Sequence, residues 1–132
     1  MAGDNPNIIF TGFISGDILK EIYSNAYIVA VPSDIEGMSI SLLEALAYGN
    51  AVLCSDIPEN TLVTEDKAIN FKKSDVADLQ NKLQNMCDDN LCVENLKHGV
   101  DDFILEKYNW NDVAVATRNL YEKVLTNKRK GN

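Results

Sequence analysis

The chain has 132 residues, of which 45% are hydrophobic and 24% charged, enough for one globular core and too little for two full domains. Its 12 basic and 20 acidic residues give a formal net charge of -8. This acidity argues against nucleic acid as a partner, because such binding depends on clustered cations. No apolar run reaches the roughly 18 residues of a membrane span, and residues 1–6 do not resemble a secretory leader, so we expect a cytoplasmic protein.

Cysteine and histidine give little sign of a cross-link or a metal site. The three cysteines, Cys54, Cys87 and Cys92, form no CxxC pair, and His98 is the single imidazole. We therefore expect neither a disulfide framework nor a zinc site. Cys54 lies in an apolar run and is expected in the core.

Apolar runs alternate with helical patterns from the first residues onward. Residues 7–11 predict a buried strand inside a sheet, and residues 17–24 predict a one-sided helix after it. Residues 27–31 are apolar throughout, which indicates a strand covered on both faces. A helix from Ser39 or Ser41 to Tyr48 follows, which is expected to end at Gly49 and to bury Ile40, Leu43, Leu46 and Ala47.

The second half continues the alternation. We predict strands over residues 51–55 and 68–71, a short helical or turn segment after Pro58, and a helix over residues 75–87. From residue 93 the pattern is helical, with a break at 108–112 before a last helix over 113–125. Four strands alternating with helices predict a parallel α/β sheet. Because such domains usually have more strands, we expect the later part of a larger domain.

Two carboxylates, Glu36 and Glu44, are the strongest candidates for binding chemistry. Glu36 lies in a loop that follows a strand, which is where parallel sheets bind ligands. The amides of residues 37–39 precede a helix and suit an anionic oxygen such as that of a diphosphate. Each carboxylate can accept hydrogen bonds from a pair of sugar or ribose hydroxyls. A nucleotide-diphosphate sugar fits all of these groups.

Spacing alone leaves simpler interpretations open. Residues 41–44 read Ser-Leu-Leu-Glu, so Glu44 could merely close a capping box with Ser41. Glu36 could be a solvated loop carboxylate.

A family resemblance extends over nearly the whole chain. It is carried by Phe-Thr-Gly at 10–12, Val-Pro-Ser at 31–33, the block 36–49 with its two glutamates, Asp-Ile-Pro-Glu-Asn at 56–60 and Tyr-Asn-Trp at 108–110. In order and spacing the chain resembles the C-terminal half of a family 4 (group 1) retaining glycosyltransferase. The resemblance implies a partial Rossmann-like, three-layer α/β domain with a short parallel sheet. Residues 1–132 would be the later portion of the donor-binding domain of a GT-B enzyme, and residues 109–127 its crossover helix.

The resemblance also assigns roles to particular residues. It implies that Glu36, the catalytic candidate, contacts hydroxyls of the donor sugar, and that Glu44 contacts the ribose. The other donor-binding candidates are main-chain groups near the sugar and diphosphate, at Gly37, Met38, Ser39 and Ile40, and near the base, at Gly12, Phe13 and Ile14. A UDP- or GDP-sugar would be the co-substrate, without an obligatory metal or other cofactor. Pro32 and Ser33 are interpreted as structural.

The chain departs from the family pattern in two respects. Residues 37–39 read Gly-Met-Ser where many members have Gly-Phe-Gly, so the donor pocket is expected to differ in shape. In the family, the cations that clamp the diphosphate and the acceptor-binding N-terminal domain lie upstream of these residues. We therefore expect no turnover from the 132 residues alone.

The last helix gives two further expectations. Trp110 is interpreted as its packing anchor, and without the other domain the apolar side of this helix would be exposed or would pair with a second copy. The last helix and an exposed sheet edge are thus candidates for self-association. The whole enzyme would be cytoplasmic or peripheral at the inner membrane face.

Three functions compete. The first is donor binding for retaining glycosyl transfer to a polysaccharide or lipid-linked acceptor. The second is a sugar-nucleotide epimerase of the same architecture, whose acid and base side chains we do not find. The third is a non-enzymatic α/β interaction module in which Glu44 is only a cap. No GxGxxG follows a strand and no GxxxxGK[ST] occurs, which disfavours dehydrogenases and P-loop enzymes.

Overall fold

Three short strands form one parallel sheet with helices on both faces. The structure is a computed structural model that describes residue 3 and residues 5–130. In chain order its elements are α1 (Gly16–Ser24), β1 (Ile28–Val31), α2 (Ile40–Ala47), β2 (Ala51–Ser55), α3 (Pro58–Thr64), β3 (Ile69–Phe71), α4 (Val76–Asp88), α5 (Asn90–Lys97), α6 (Val100–Lys107) and α7 (Trp110–Lys130).

The sheet has the order β1-β2-β3, and both pairings are parallel. Val31 lies opposite Cys54, and Ser55 lies opposite Phe71, so the three strands end at the same edge. β2 is buried along its whole length, because it has a neighbour on each side and helices above and below. The predicted parallel α/β arrangement is confirmed.

Two apolar cores lie on opposite faces of the sheet. Val52 and Cys54 of β2 face the first core, which contains buried residues of α2 and α6. Ala51 and Leu53 face the second core, to which Met86 of α4 and Val93 of α5 belong. Successive residues of a strand point to opposite faces, so the continuous apolar run of β2 serves both cores. The result is the predicted three-layer arrangement.

The prediction of a strand over residues 7–11 is wrong. Residues 8–11 are not hydrogen-bonded into the sheet, and Ile9 and Phe10 are 80% and 82% exposed. An apolar β-branched run becomes a strand only if its amides and carbonyls find a partner, and in the described ranges β1 pairs with β2 alone. The described sheet therefore has three strands rather than four. For the same reason β1 is only partly covered, and its Ala30 is exposed.

The buried face of α2 overlaps only in part with the predicted one: Leu46 is buried as predicted, but the face is turned toward Leu42 and Ala45. Leu42, Ala45 and Leu46 are fully buried, whereas Ile40 is 62% exposed. Leu43 and Ala47 are half-buried. Apolar residues occur on all sides of this helix, so periodicity alone does not select the face that packs.

The last helix starts three residues earlier than predicted. Asn109 lies before it, and its Oδ1 accepts a hydrogen bond from the amide of Asn111 at 2.8 Å, as a capping residue does. Trp110 is 84% exposed, so its interpretation as a packing anchor is wrong. None of the helices in the described ranges combines the length and apolarity needed to cross a membrane.

The buried face of α2 leads to a stability prediction. We expect Leu42→Ala to lower the free energy of unfolding by about 2–5 kcal/mol, because the lost side chain leaves a cavity between α2 and the sheet. Leu62→Ala in α3 is the matched control, since Leu62 is 72% exposed and should change stability by less than about 0.5 kcal/mol. Urea denaturation of both variants measures the difference, and equal losses would contradict this assignment of the core.

The thiol of Cys54 should be nearly inert. Burial raises the pKa of the Cys54 thiol to about 11. A hydrogen bond with the side chain of Thr64 acts in the opposite direction and is the smaller effect. The reactive thiolate is therefore scarce until the pH approaches that value. We expect iodoacetamide at pH 8 to alkylate exposed Cys87 and to spare Cys54 in the folded protein, as read by peptide mass spectrometry. In urea both should react, and equal labelling in the folded state would contradict the core position.

Candidate functional site

The candidate site lies beyond the carboxyl ends of β1 and β2. Residues 32–39 leave β1 and lead into the first turn of α2, the position at which parallel sheets bind ligands. Glu36 is half-buried in this loop, Ser39 is the N-cap of α2, and Glu44 is exposed in the second helical turn. The two carboxylates therefore flank the start of the helix.

Glu36 is held by a neighbouring hydroxyl. The Oγ of Ser33 donates a hydrogen bond to Oε1 of Glu36 at 2.6 Å. The carbonyl oxygen of Ser33 in turn accepts a hydrogen bond from Oγ of Ser55, the last residue of β2. This arrangement does not fit a purely solvated loop carboxylate, and it brings Ser33 into contact with the candidate catalytic residue.

The N-terminus of α2 presents amides that the helix itself leaves free. The first amide to bond within this segment is that of Leu43, to the carbonyl of Ser39 at 3.1 Å. The amides of residues 40–42 precede it and have no helical partner. The side chain of Ser39 caps none of them, and its Oγ lies 3.5 Å from the Oγ of Ser41. These donors and the positive end of the helix suit an anionic oxygen.

The capping-box interpretation of Glu44 is wrong. Ser41 lies inside α2 rather than at its N-cap, so it cannot start a box that Glu44 completes. The position that would complete a box with Ser39 is occupied by Leu42. Within the residues whose side chains are described, the Glu44 carboxylate has no hydrogen-bond partner, and it is free to accept one from a ligand hydroxyl.

A stacked tyrosine pair lies beside Glu44. The rings of Tyr23 and Tyr48 have centroids 5.5 Å apart and an interplanar angle of 12°. Burial raises the pKa of the Tyr23 hydroxyl, and the negative charge of Glu44 raises it further. Tyr23 lies in the last turn of α1 and Tyr48 directly follows α2, so no local spacing in the sequence indicates that they meet.

An apolar groove of about 540 Å³ runs along α2, with Met38, Ile40 and Glu44 on its wall. The opposite wall belongs to α6 and the start of α7, including Leu105 and exposed Trp110. The structure thus brings three of the predicted donor-binding residues to one surface. The other residues that line the groove are Leu43, Ala47, Ile104, Tyr108 and Val113.

A second hollow, of about 290 Å³, lies beyond the ends of the strands. Its charged lining residues are Asp34, Asp56, Glu59 and Lys73. Three carboxylates thus surround one ammonium group, so this hollow does not favour a diphosphate. In the described part of the chain, no cluster of three or more His, Cys, Asp or Glu side chains is arranged to hold a metal ion.

The predicted base-binding turn is separate from both hollows. Gly12 has a φ of +64°, which favours glycine, and Phe13 is 96% exposed. Ile14 is half-buried just before α1. These residues line neither the groove nor the second hollow, and their contact with a base remains a prediction.

Comparison with known proteins places the chain among sugar-transferring enzymes. The family model of the group 1 glycosyl transferases matches residues 1–89. An uncharacterized glycosyltransferase of Methanocaldococcus jannaschii is 28% identical over 122 residues, 91% of this chain and 31% of the relative. A sulfoquinovosyl transferase of Arabidopsis thaliana is 28% identical over 84% of this chain and 22% of its own length. A serotype-specific mannosyltransferase of Escherichia coli is 27% identical over 93% of this chain and 15% of its own length.

The fold has a counterpart among solved structures. The sucrose-phosphate synthase of Thermosynechococcus elongatus superposes with a TM-score of 0.77 at 25% identity, over 89% of this chain and 30% of that one. The predicted fold class, an α/β segment of a GT-B glycosyltransferase, is confirmed. The chain spans less than a third of the length of the curated relatives it matches.

The proximity of Glu44 to Tyr23 can be measured. In Glu44→Gln we expect the pKa of Tyr23 to fall, because tyrosinate no longer faces a negative charge. It should remain above its ordinary value, since burial is the larger cause. Titration of the Tyr23 Cζ resonance by NMR reads this change. Glu94→Gln, on the exposed side of α5, is the charge-matched control, and an unchanged Tyr23 pKa in Glu44→Gln would contradict the contact.

Proposed function

The chain belongs to the group 1 glycosyl transferases, and we propose that it binds the nucleotide-diphosphate sugar donor within such an enzyme. The transfer would retain the anomeric configuration and would serve a polysaccharide or lipid-linked acceptor. The observation that carries the proposal is the arrangement around α2. A held carboxylate precedes the free helical amides, and a carboxylate with no hydrogen-bond partner among the described side chains follows them.

The order of these groups matches the order of groups in a donor. A diphosphate at the free amides of residues 40–42 would accept hydrogen bonds from backbone donors and lie at the positive end of α2. Glu44 lies four residues beyond Ile40, about 6 Å along the helix axis, on the side where we place the ribose. Glu36 lies on the other side, where its carboxylate would accept hydrogen bonds from the sugar hydroxyls.

Backbone donors suit the charge of this chain. With a net charge of -8, the protein repels anions at long range, and the single ammonium in the second hollow lies among three carboxylates. Amides at a helix N-terminus carry partial positive charge without adding a titratable group. We propose that they hold the leaving diphosphate together with cations from the rest of the enzyme, which would stabilise the negative charge that develops as the glycosidic bond breaks.

We propose that no metal or other cofactor takes part: the chain supplies carboxylate acceptors for the hydroxyls and amide donors for the phosphates, and cations from the rest of the enzyme would complete the diphosphate site. Two of the relatives named above are a mannosyltransferase and a sulfoquinovosyl transferase, which supports a hexose-type donor. The interaction-module alternative depended on Glu44 as a cap, and the structure removes that support.

Donor binding can be tested directly with calorimetry and thermal shift. The six probes are UDP, GDP and ADP and one sugar conjugate of each, namely UDP-glucose, GDP-mannose and ADP-glucose. We expect one base to be preferred and Glu44→Gln to weaken binding of that nucleotide about tenfold, because an amide replaces an ionised acceptor for the ribose. Unfolding stability should change by less than about 0.5 kcal/mol, since no bond within the described chain is lost.

Glu94→Gln removes the same charge far from the site and should leave affinity unchanged. A wild-type chain that responds to none of the six ligands would contradict the proposal. Equal losses in Glu44→Gln and Glu94→Gln would contradict the role of Glu44.

A further inference from the structure

A chain of hydrogen bonds connects the interior of the protein to Glu36. Asn60 in α3 is fully buried, and its Nδ2 donates to both the carbonyl oxygen and the Oγ of Ser55, at 3.2 and 3.1 Å. Ser55 is 1% exposed, and its hydroxyl donates to the carbonyl of Ser33. The hydroxyl of Ser33 then donates to the carboxylate of Glu36 at 2.6 Å.

Each bond in this chain sets the direction of the next one. Because the Ser55 oxygen accepts from Asn60, its own hydrogen is directed to the carbonyl of Ser33. That bond fixes the main chain just after β1, which in turn fixes where the Ser33 hydroxyl lies. The hydroxyl occupies one acceptor position on Oε1 of Glu36, and the other carboxylate oxygen stays available for a ligand.

Asn60 is a costly residue for a purely structural role. Its Oδ1 is buried and has no hydrogen-bond partner in the described part of the chain. An unpaired buried acceptor destabilises the folded state, and an apolar residue of similar size would avoid that loss. The Nδ2 of Asn60 nevertheless bonds to both oxygen atoms of Ser55, so the amide group of Asn60 holds Ser55 in place.

We infer that Ser33, Ser55 and Asn60 are positioning residues that orient the Glu36 carboxylate toward the hydroxyls of the donor sugar. The inference rests on the proposed function, and it adds the residues that make Glu36 selective. A carboxylate fixed before binding loses less side-chain entropy when the sugar arrives. The network should therefore affect recognition of the sugar and leave recognition of the nucleotide unchanged.

The test compares a nucleoside diphosphate with its sugar conjugate in each variant. The probes are UDP with UDP-glucose, or GDP with GDP-mannose. The dissociation constant of the diphosphate divided by that of its sugar conjugate measures the contribution of the sugar to binding. We expect Ser33→Ala and Ser55→Ala to reduce this ratio on the order of fivefold to tenfold while affinity for the diphosphate alone stays the same. Ser33→Thr keeps the hydroxyl and should restore the ratio.

Ser74→Ala is the matched control. The Ser74 hydroxyl donates to Asp34 in the same loop at 2.9 Å, without touching Glu36. A second measurement needs no ligand: three-bond NMR couplings report the χ1 rotamer of Glu36. We expect one rotamer in the wild type, Ser33→Thr and Ser74→Ala, and averaging among rotamers in Ser33→Ala. Circular dichroism confirms that each variant is folded, and Ser33→Ala carries the test if Ser55→Ala does not fold.

The outcomes separate the inference from the function it rests on. If the wild-type chain binds the donor, unchanged couplings in Ser33→Ala or an unchanged sugar ratio in Ser33→Ala would overturn the positioning role and leave donor binding intact. A ratio that falls equally in Ser74→Ala would also overturn it. A wild-type chain that binds no probe contradicts the proposed function, and the inference then fails with it.

Discussion

Every part of the structure that bears on the site depends on the burial of β2. This strand pairs with β1 on one edge and β3 on the other, and its side chains enter both cores. Because parallel strands end at a common edge, the position of β2 determines where the β1 loop and α3 meet. Ser55, its last residue, provides the side chain that links them. The packing of the sheet and the geometry of the site therefore share one element.

The elements predicted correctly are those whose structure does not depend on a choice of face or of partner. β2 is an apolar run of four residues, Ala51–Cys54, that ends in Ser55, and it occurs where predicted because a strand buried on both faces needs no choice of face. Residues 8–11 have a similar composition and remain outside the sheet. Their pattern specifies an extended chain, but pairing requires a partner strand, which composition cannot reveal.

The same distinction applies to the site. The loop and helix that carry Glu36 and Glu44 are evident from the sequence, because a glycine, a following apolar helix and a preceding strand mark them. The capping-box prediction is wrong because it places the N-cap of α2 at Ser41, whereas the N-cap is Ser39, two residues earlier. Helix boundaries predicted from sequence are uncertain by such a distance, and the shift changes which side chain can cap. The bonds from Asn60 through Ser55 to Ser33 join residues from three elements, and no local spacing encodes them.

The two glutamates differ in how the protein holds them, and this difference has a consequence for selectivity. Glu36 is oriented by a hydroxyl whose position is set from the protein interior, whereas Glu44 lies exposed on a helix beside a tyrosine pair. A fixed acceptor discriminates among hydroxyl arrangements, since a misplaced hydroxyl cannot be followed without breaking the bond to Ser33. An exposed acceptor at the surface of a helix can adjust to a ribose, whose hydroxyls are the same in every ribonucleotide. Under the proposed donor binding, discrimination between sugars is therefore expected at Glu36 and general affinity for the nucleotide at Glu44.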